Sequence, residues 1–312
     1  MSRRSRIALI LATLLVTGLQ GSAGAAPTNG FLGAYEWSMT DRRFGGLSGI
    51  EVEPDGTSFV ALTDRGSWLR GQFMRGQDEE ILGIRAGKLA QLKSKAGREM
   101  TGFPADSEDL SFAPDGSVYV SFEGYTRVLR YKALAGNAVN LPIPEAFKKL
   151  GRNTSLEAMA VDRYGDVYVV PEELPSSKRM RLLIGQPGNP AGKDFPLWKF
   201  TKGKWTTAGL LPRRGSFLPV SADFGPDHRL YILERRFLGF GGFASRVRSF
   251  VVAASGLQDE RTVMESAPGL HDNLEGLSVW KDRFGRIRLT MVSDDNFLPI
   301  LRSEVVEYFV TD

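Results

Sequence analysis

The sequence contains five copies of one short pattern, and this internal repeat constrains the fold more than any other feature. Each copy has a short apolar run, a turn of the Pro-Asp-Gly kind, and a second run rich in β-branched and aromatic residues. Pro presets φ at such a turn and Gly accepts a positive φ, so each copy predicts a β-hairpin. The copies are SGIEVEPDG (48–56), EDLSFAPDG (108–116), EAMAVDRYG (157–165), VSADFGPDH (220–228) and EGLSVWKDRFG (275–285).

The spacing of the copies predicts a β-propeller. Their turn residues lie 60, 49, 63 and 57 positions apart, which fits one four-stranded blade per copy. Residues 31–38 and 303–310 resemble a first and a last strand, and pairing them in one blade closes the ring and removes exposed edges. We therefore predict an all-β chain with five blades. Six blades remain an alternative if residues 171–219 hold a divergent one, and a β-sandwich is the more general alternative.

The fourth turn departs from the pattern. His228 stands where the other copies have glycine, so this turn must either differ in conformation or tolerate strain. We also expect one short helix within residues 144–150.

The N-terminus predicts export. Arg3, Arg4 and Arg6 precede an apolar run over residues 7–16, and residues 23–25 (AGA) form a small-x-small cleavage site. We assign residues 1–25 to a signal peptide and residues 26–312 to a single propeller domain, located in the periplasm or secreted. The apolar run is too short for a convincing membrane span. Arg3 and Arg4 leave the twin-arginine route open beside the general secretory route.

Charge and composition exclude several classes of function. The chain has 40 Lys and Arg against 36 Asp and Glu, but three Arg lie in the predicted signal, which leaves 37 against 36. We therefore expect no nucleic-acid partner. The absence of Cys excludes disulfides and thiolate catalysis, and two His cannot build a site of several histidines. The chain also lacks a G-x-S-x-G elbow, an H-E-x-x-H motif and a P-loop.

Aligning the copies predicts a ring of carboxylates. Glu108, Glu157 and Glu275 begin the first strand of their hairpins, with Ser48 and Val220 at the same position. They stand four residues before the last apolar residue of the strand, an even step, so we expect them on one face. In an antiparallel hairpin, the second strand ends beside the start of the first strand. The residues there are Asp64, Glu123, Glu172 with Glu173, Glu234, and Asp294 with Asp295 and Asn296.

Two interpretations of this ring follow, because like charges repel unless something neutralises them. Arg65, Arg127, Arg235 and Arg236 are available for structural ion pairs. Alternatively, the ring holds a hard divalent cation such as Ca²⁺, which takes six to eight oxygen ligands. Asn273 and Asn296 are candidate neutral ligands. Zinc and copper are disfavoured because nitrogen and sulfur ligands are scarce.

The same residues resemble the phytase-like family, whose members are described as "esterase-like activity of phytase" proteins and are exported bacterial propellers. The resemblance covers about residues 44–300, and its most specific part is NLEGL (273–277) with VSDDNF (292–297). The other matching runs are GLSGI (46–50), LTDRG (62–66), SEDLSF (107–112), SFEG (121–124), LEAMA (156–160), PEE (171–173) and YILER (231–235). The fourth repeat departs from the pattern at Val220 and Ser221.

The resemblance implies hydrolysis of phosphoric or carboxylic esters, without a catalytic set that can be carried over. Our hypothesis is a calcium-dependent hydrolase that is a monomer and acts on a small ester or phosphoester in the acidic funnel. A sugar or lactone hydrolase acting on a neutral substrate is a variant of it. The alternative is a non-catalytic binding or scaffolding propeller with ion pairs at the rim.

Within the hydrolase hypothesis each rim residue has an expected role. Glu108, Glu157 and Glu275 hold the cation, surrounded by Asp64, Asp294 and Asp295. Glu123, Glu172 and His271 transfer protons, and Arg65 and Arg235 bind the substrate. A loop histidine whose hydrogen bond is satisfied by a neighbour is the alternative for His271.

Overall fold

The structure is a computed structural model that describes residues 30–150, 156–172, 193–298 and 300–311. The predicted signal peptide (1–25) and Glu173 lie outside the described residues.

The described residues fold into five antiparallel sheets, which are the blades of a ring. A first strand, β1 (Phe31–Glu36), precedes them. The first blade contains β2 (Leu47–Val52), β3 (Ser58–Thr63), β4 (Ser67–Arg75), β5 (Ile81–Ala86) and the short β6 (Ala90–Gln91). The second contains β7 (Ser107–Phe112), β8 (Val118–Phe122), β9 (Arg127–Tyr131) and β10 (Ala138–Asn140). The third contains β11 (Leu156–Val161), β12 (Val167–Pro171), β13 (Phe195–Thr201) and β14 (Lys204–Leu211).

The fourth and fifth blades complete the ring. The fourth contains β15 (Leu218–Phe224), β16 (Leu230–Phe237), β17 (Phe243–Ala253) and β18 (Gly256–Glu265). The fifth contains β19 (Asn273–Lys281), β20 (Ile287–Asp294) and β21 (Glu304–Phe309), with β1 as its outer strand. Within the described ranges, the helical elements are α1 (Glu145–Lys148) and two 3-10 turns, Phe103–Ala105 and Gly239–Gly241.

The N-terminal strand closes the ring. Strand β1 pairs antiparallel with β21, with Glu36 opposite Glu304 and Phe31 opposite Tyr308. The predictions of an all-β propeller, of five blades and of closure by the terminal strands are therefore confirmed. The short helix expected within residues 144–150 is also present as α1.

The hairpin turns share one conformation, including the one without glycine. The N–H of Gly56 donates to the carbonyl of Glu53, and the N–H of His228 donates to the carbonyl of Gly225. Their φ angles are 66° and 65°. The fourth turn therefore keeps the same shape, and His228 tolerates the left-handed backbone at a cost that glycine avoids.

The hydrophobic core lies between the blades. Each interface between neighbouring blades contains its own cluster of buried apolar side chains. At the first interface, Val60 and Leu62 of β3 pack with Leu110 and Val120 of the second blade. Burying one such side chain is worth about 1.5–3 kcal/mol. Packing between blades therefore stabilises a chain that has no disulfides.

A belt of polar side chains fills the centre of the ring. The innermost strands (β2, β7, β11, β15 and β19) have no ladder between them, and side chains of one strand accept hydrogen bonds from backbone N–H groups of another. Asp109 crosses the axis in this way, accepting from Met159 of the third blade and from Ala222 and the Ser221 hydroxyl of the fourth. The other acceptors are Ser278, Glu51, Ser111, Ser221 and Asp223.

The belt requires close approach of the inner strands and keeps its carboxyl groups away from water. A Cβ on Gly276 would lie 2.8 Å from the Cα of Gly49 in the next blade, so glycine is needed there. Burial raises the pKa of Glu51 to about 7 and raises that of Asp109 well above its ordinary value.

Candidate functional site

The ring of aligned residues lies on a β-bulge that recurs in every blade. Each inner strand loses register with its partner near its first residues, where one blade skips between Leu47 and Gly49 and another between Leu274 and Gly276. A bulge leaves a residue outside the ladder and turns its side chain, and such bulges often adjoin functional sites. The residues at the bulges are Ser48, Glu108, Glu157, Val220 and Glu275. We call this end of the ring the rim.

The second strands bring a further set of residues to the rim. We call the residue that the second strand of each blade brings to the rim the second position. The last paired residue of the inner strand before the bulge lies opposite the residue that precedes the second position. Leu47 pairs in this way with Thr63, and Pro219 pairs with Glu234. The second positions are therefore Asp64, Glu123, Glu172, Arg235 and Asp294. Seven of the ten rim positions carry a carboxylate, so the rim has a large excess of negative charge.

The prediction that Glu234 belongs to this ring is wrong. Arg235 occupies the position, and Glu234 precedes it on the strand, fully buried and bound to Arg246 and Arg248 within the fourth blade. A displacement of one residue along a strand moves a side chain to the other face. Glu123 and Glu172 follow their turn glycines by seven residues, and Arg235 follows His228 by seven.

Arg235 neutralises one side of the rim. It donates to Glu275, to the side-chain oxygen of Asn273 at 2.6 Å and to Glu172 at 3.2 Å, and so joins the third, fourth and fifth blades. Burial opposes its charge, yet Glu275 and Glu172 raise the pKa of its guanidinium. We call Glu172, Arg235, Asn273 and Glu275 the arginine side.

Glu157 lies beside the arginine side. Burial raises its pKa well above the ordinary value, and the carboxylates of Glu172 and Glu108 add to the rise, whereas Arg235 lowers it. It has no ion pair with a cation in the described part of the chain. It therefore lies between the neutralised residues and the carboxylates of the second blade.

The other side of the rim concentrates negative charge. Asp106, Glu108 and Glu123 each offer an oxygen, and these oxygens lie within 4.8 Å of one another. Burial raises the pKa of Glu108 well above its ordinary value, and Glu123, Glu275 and Asp106 raise it further. Burial also raises the pKa of Asp106, and Arg127 lowers it. We call Asp106, Glu108 and Glu123 the acidic side.

Asp64 and Asp294 are the rim carboxylates of the first and fifth blades. Burial raises the pKa of Asp64 to about 7, while Arg65 lowers this pKa and Glu275 raises it. The buried Oδ1 of Asp64 has no hydrogen-bond partner among the described residues. Burial and the Glu275 carboxylate raise the pKa of Asp294 to about 8. Both groups therefore change charge near neutral pH.

Two predicted residues belong to the loops that border the rim. Asp295 accepts hydrogen bonds from the N–H groups of Gly46 and Phe297 and from the hydroxyl of Ser303, so it connects the loops of the first and fifth blades. The guanidinium of Arg65 stacks on the ring of Phe297, 3.2 Å from its centroid. Arg65 remains exposed beside Asp64.

His271 lies apart from the rim carboxylates. It is buried, its Nε2 lies 2.6 Å from the hydroxyl of Tyr308, and its ring packs near Phe31. Burial, helped by Arg302, lowers its pKa to about 4, so the ring is neutral at neutral pH. The structure therefore does not bring it together with Glu123 and Glu172, its predicted partners in proton transfer.

Sequence reasoning missed Asp106. This residue precedes Glu108 by two positions, as Asn273 precedes Glu275, so a shared Asp/Asn-x-Glu pattern in the second and fifth repeats was the available signal. The two residues differ in their contacts, because Asn273 bonds to Arg235 and Glu275.

The acidic side fits a hard divalent cation. Oxygens that share one Ca²⁺ at about 2.4 Å can lie no more than about 5 Å apart, which agrees with the spacing of the three carboxylates. The donors are all oxygens, and the charges with the largest effect on Glu108 are carboxylates, which an added cation would stabilise.

Comparison with known families matches this architecture to one of them. A family model described as "Phytase-like: Esterase-like activity of phytase" matches residues 42–297. The chain belongs to the phytase-like family. The match covers the first four blades, strands β19 and β20 of the fifth, and the rim residues from Asp64 to Asp295, so the family resemblance of the sequence is confirmed.

Several solved structures are similar to this phytase-like chain at low sequence identity. The chain is similar to virginiamycin B lyase from Staphylococcus aureus, with 15% identity over 88% of this chain and 73% of that one and a TM-score of 0.43. It is similar to an aldose sugar dehydrogenase from Streptomyces coelicolor, with 11% identity over 91% and 100% of the chains and a TM-score of 0.47. A gluconolactonase from Xanthomonas campestris has 12% identity over 84% and 72% and a TM-score of 0.44.

Among curated proteins, none matches the sequence of this chain. Within the described residues, no helix is long and apolar enough to cross a membrane.

Proposed function

We propose that this phytase-like protein is an exported hydrolase that cleaves phosphoric or carboxylic esters at the rim with the help of a divalent cation, Ca²⁺ being the best fit. The observation that carries the proposal is the acidic side, where three carboxylate oxygens lie within 4.8 Å of one another. Family membership supports the reaction class. The basic and apolar N-terminus supports export.

The chemistry of the donors supports the cation. Buried like charges are expensive unless a cation neutralises them, and Arg235 already neutralises the arginine side. We therefore assign Asp106, Glu108 and Glu123 as its ligands, with Glu157 beside them. When bound, a divalent cation polarises the ester oxygen and lowers the pKa of a water molecule.

The remaining rim residues have roles that follow from their surroundings. A general acid or base works best when its pKa lies near the working pH, and that of Asp64 is about 7. Asp64 therefore accepts the proton of the attacking water and returns it to the leaving group. Arg65, exposed beside Asp64, contacts the substrate, whereas Arg235 keeps Glu172 and Glu275 in position.

An activity measurement tests this proposal. The mature protein is assayed with p-nitrophenyl phosphate and p-nitrophenyl butyrate, with EDTA or with Ca²⁺ in excess. We expect hydrolysis of at least one ester that requires Ca²⁺, and a loss of about 100-fold or more in kcat/KM for Glu123→Gln. Glu145→Gln removes an exposed carboxylate of α1 and serves as the control, with unchanged activity. Hydrolysis at the same rate in EDTA would refute the cation-dependent reaction, and absence of activity on a broad ester panel would refute the hydrolase.

A non-catalytic binding propeller is the second candidate. The ion pairs of Arg235 with Glu172 and Glu275 favour it, because they show that rim carboxylates can serve as structural partners. It predicts a fully folded protein that neither binds Ca²⁺ nor hydrolyses esters.

A further inference from the structure

A pocket of about 410 Å³ lies on the outside of the second blade, close to the rim. Residues 94–98 form one wall, and strands β9 and β10 form the other through Arg127, Leu129 and Asn140. Its volume lies within the range of small-molecule sites. Three of its lining residues, Lys95, Arg98 and Arg127, are cationic, and none of the described lining residues is acidic.

The walls of the pocket are ordered by hydrogen bonds. Residues 94–98 form a tight turn, in which the N–H of Ser94 donates to the carbonyl of Arg98 at 2.8 Å and the N–H of Gly97 donates to that of Ser94 at 2.9 Å. The hydroxyl of Tyr131 fixes this turn to the blade by donating to the carbonyl of Lys93. The cations on the turn are therefore attached to a defined backbone.

Arg127 is held rigidly and connects the pocket to the acidic side. Its guanidinium donates to the carbonyls of Tyr125 and Pro104 and lies 4.2 Å from the centroid of the Phe122 ring. Pro104 precedes Asp106 by two residues. The pocket and the acidic side are thus neighbours along the same edge of the second blade.

Several polar groups of the pocket have no hydrogen-bond or ion-pair partner among the described residues. The Oγ of Ser94 is buried and has no hydrogen-bond partner among the described residues. Lys95 and Arg98 form no ion pair with any residue in the described ranges. A rigid cation, two further cations without carboxylate partners and an unused hydroxyl together form a site for an oxyanion.

We propose that this pocket binds a doubly charged oxyanion of the phosphoryl class, with Lys95, Arg98 and Arg127 supplying the charge and Ser94 a hydrogen bond. Three cations favour a dianion over a single carboxylate. The pocket then anchors a phosphoryl group of the substrate while the ester to be cleaved lies at the acidic side. This assignment to the substrate rests on the proposed function, whereas the affinity for the anion does not.

Binding of inorganic phosphate tests the pocket without any turnover. Titration calorimetry is carried out on the mature protein in EDTA, so that no divalent cation contributes. We expect saturable binding that weakens as salt is added, and a loss of about tenfold or more in affinity for Arg98→Ala and for Lys95→Ala. Lys132→Ala is the matched control, because it removes an exposed cation of the same blade outside the pocket. We expect that variant to bind phosphate like the wild type.

Other outcomes overturn the proposal and separate it from the proposed function. If Glu108→Gln changes phosphate binding and Arg98→Ala does not, the anion binds at the rim and the pocket is not its site. Absence of phosphate binding at millimolar concentrations also overturns it, even if the protein hydrolyses esters. If phosphate binds in the pocket and no ester is hydrolysed, the hydrolase fails and the pocket stands. An active enzyme whose KM for a substrate with two phosphoryl groups, such as fructose 1,6-bisphosphate, is unchanged by Arg98→Ala refutes the role of the pocket in substrate binding.

Discussion

On one side of the rim Glu172 and Glu275 share the guanidinium of Arg235, whereas on the other side Asp106, Glu108 and Glu123 lie against one another. Both sides are built from the same bulges and strand ends. The difference arises in the fourth blade, which places Val220 at its bulge and Arg235 at its strand end. Arg235 donates hydrogen bonds to residues of the third and fifth blades, and to none of the described residues of the second blade.

Two departures of the fourth repeat, Val220 and Arg235, thus divide a symmetric ring into two environments. The arginine side is neutralised from within, so its carboxylates act as structural partners. The acidic side has the same residue types with an excess of negative charge, and we propose that it binds a cation from solution. The predictions that follow test this division.

The largest effect should come from removing the internal cation. Arg235→Leu leaves Glu172 and Glu275 buried without a cationic partner, and we expect the free energy of unfolding to fall by about 3–5 kcal/mol. Urea denaturation in EDTA at pH 7.5 measures it. Arg236→Leu is the control, because Arg236 is the next residue on β16, stacks on Phe217 and forms no ion pair with a described residue. We expect it to cost less than about 1 kcal/mol. Equal losses for both variants would show that Arg235 does not hold the arginine side together.

The metal-free protein should lose stability as the pH rises. The pKa values of Asp64 and Asp294 are raised from 3.8 to about 7 and about 8, so the folded protein keeps protons that the unfolded chain has released. The stability from these protons is complete below pH 4 and is lost as the pH rises toward 8. We expect the free energy of unfolding in EDTA to fall continuously between pH 5 and pH 8.

Two controls sharpen this pH experiment. Asp64→Asn should reduce the slope, because the variant has one fewer group to deprotonate. Saturating Ca²⁺ should also reduce it, since the cation favours the charged carboxylates. A stability that rises from pH 5 to pH 8 in EDTA would contradict the account of the rim as an excess of buried negative charge.

The smallest effect should come from His271, which lies outside both sides of the rim. His271→Gln and Tyr308→Phe each remove the same buried hydrogen bond, and we expect each to lower the free energy of unfolding by about 1 kcal/mol. Ester hydrolysis and Ca²⁺ affinity should remain unchanged. A loss of activity in His271→Gln without a matching loss of stability would restore the proton-transfer role that the sequence suggested.

The fold was predictable because its evidence is local and repeated. Each hairpin carries its own turn residues and strand residues, and five such units with one spacing specify a ring of blades. The closing strands also followed from the pattern, since a first and a last strand without partners can satisfy each other. His228 shows the limit of turn rules, because the chain keeps the turn and accepts the strain.

The rim was only partly predictable, because a bulge leaves no mark in the alternation of residues. Counting from the turn in even steps assigns faces correctly only when the ladder is regular. The assignment of Glu234 to the rim was wrong because Arg235, the next residue on β16, occupies the rim position of the fourth blade. Asp106 and the axial contacts of Asp109 depend on neighbouring blades, which a single repeat does not reveal. The burial of His271 against Tyr308 likewise joins residues that are distant in sequence.

Calcium titration of matched variants on the two sides of the rim tests the central claim most directly. Binding is measured by calorimetry at pH 7.5 for the wild type, Glu108→Gln on the acidic side and Glu172→Gln on the arginine side. The account predicts one Ca²⁺ per chain in the wild type, binding abolished in Glu108→Gln, and binding retained within about threefold in Glu172→Gln. Absence of binding in the wild type, or equal losses in the two variants, would contradict the claim that the acidic side is the cation site.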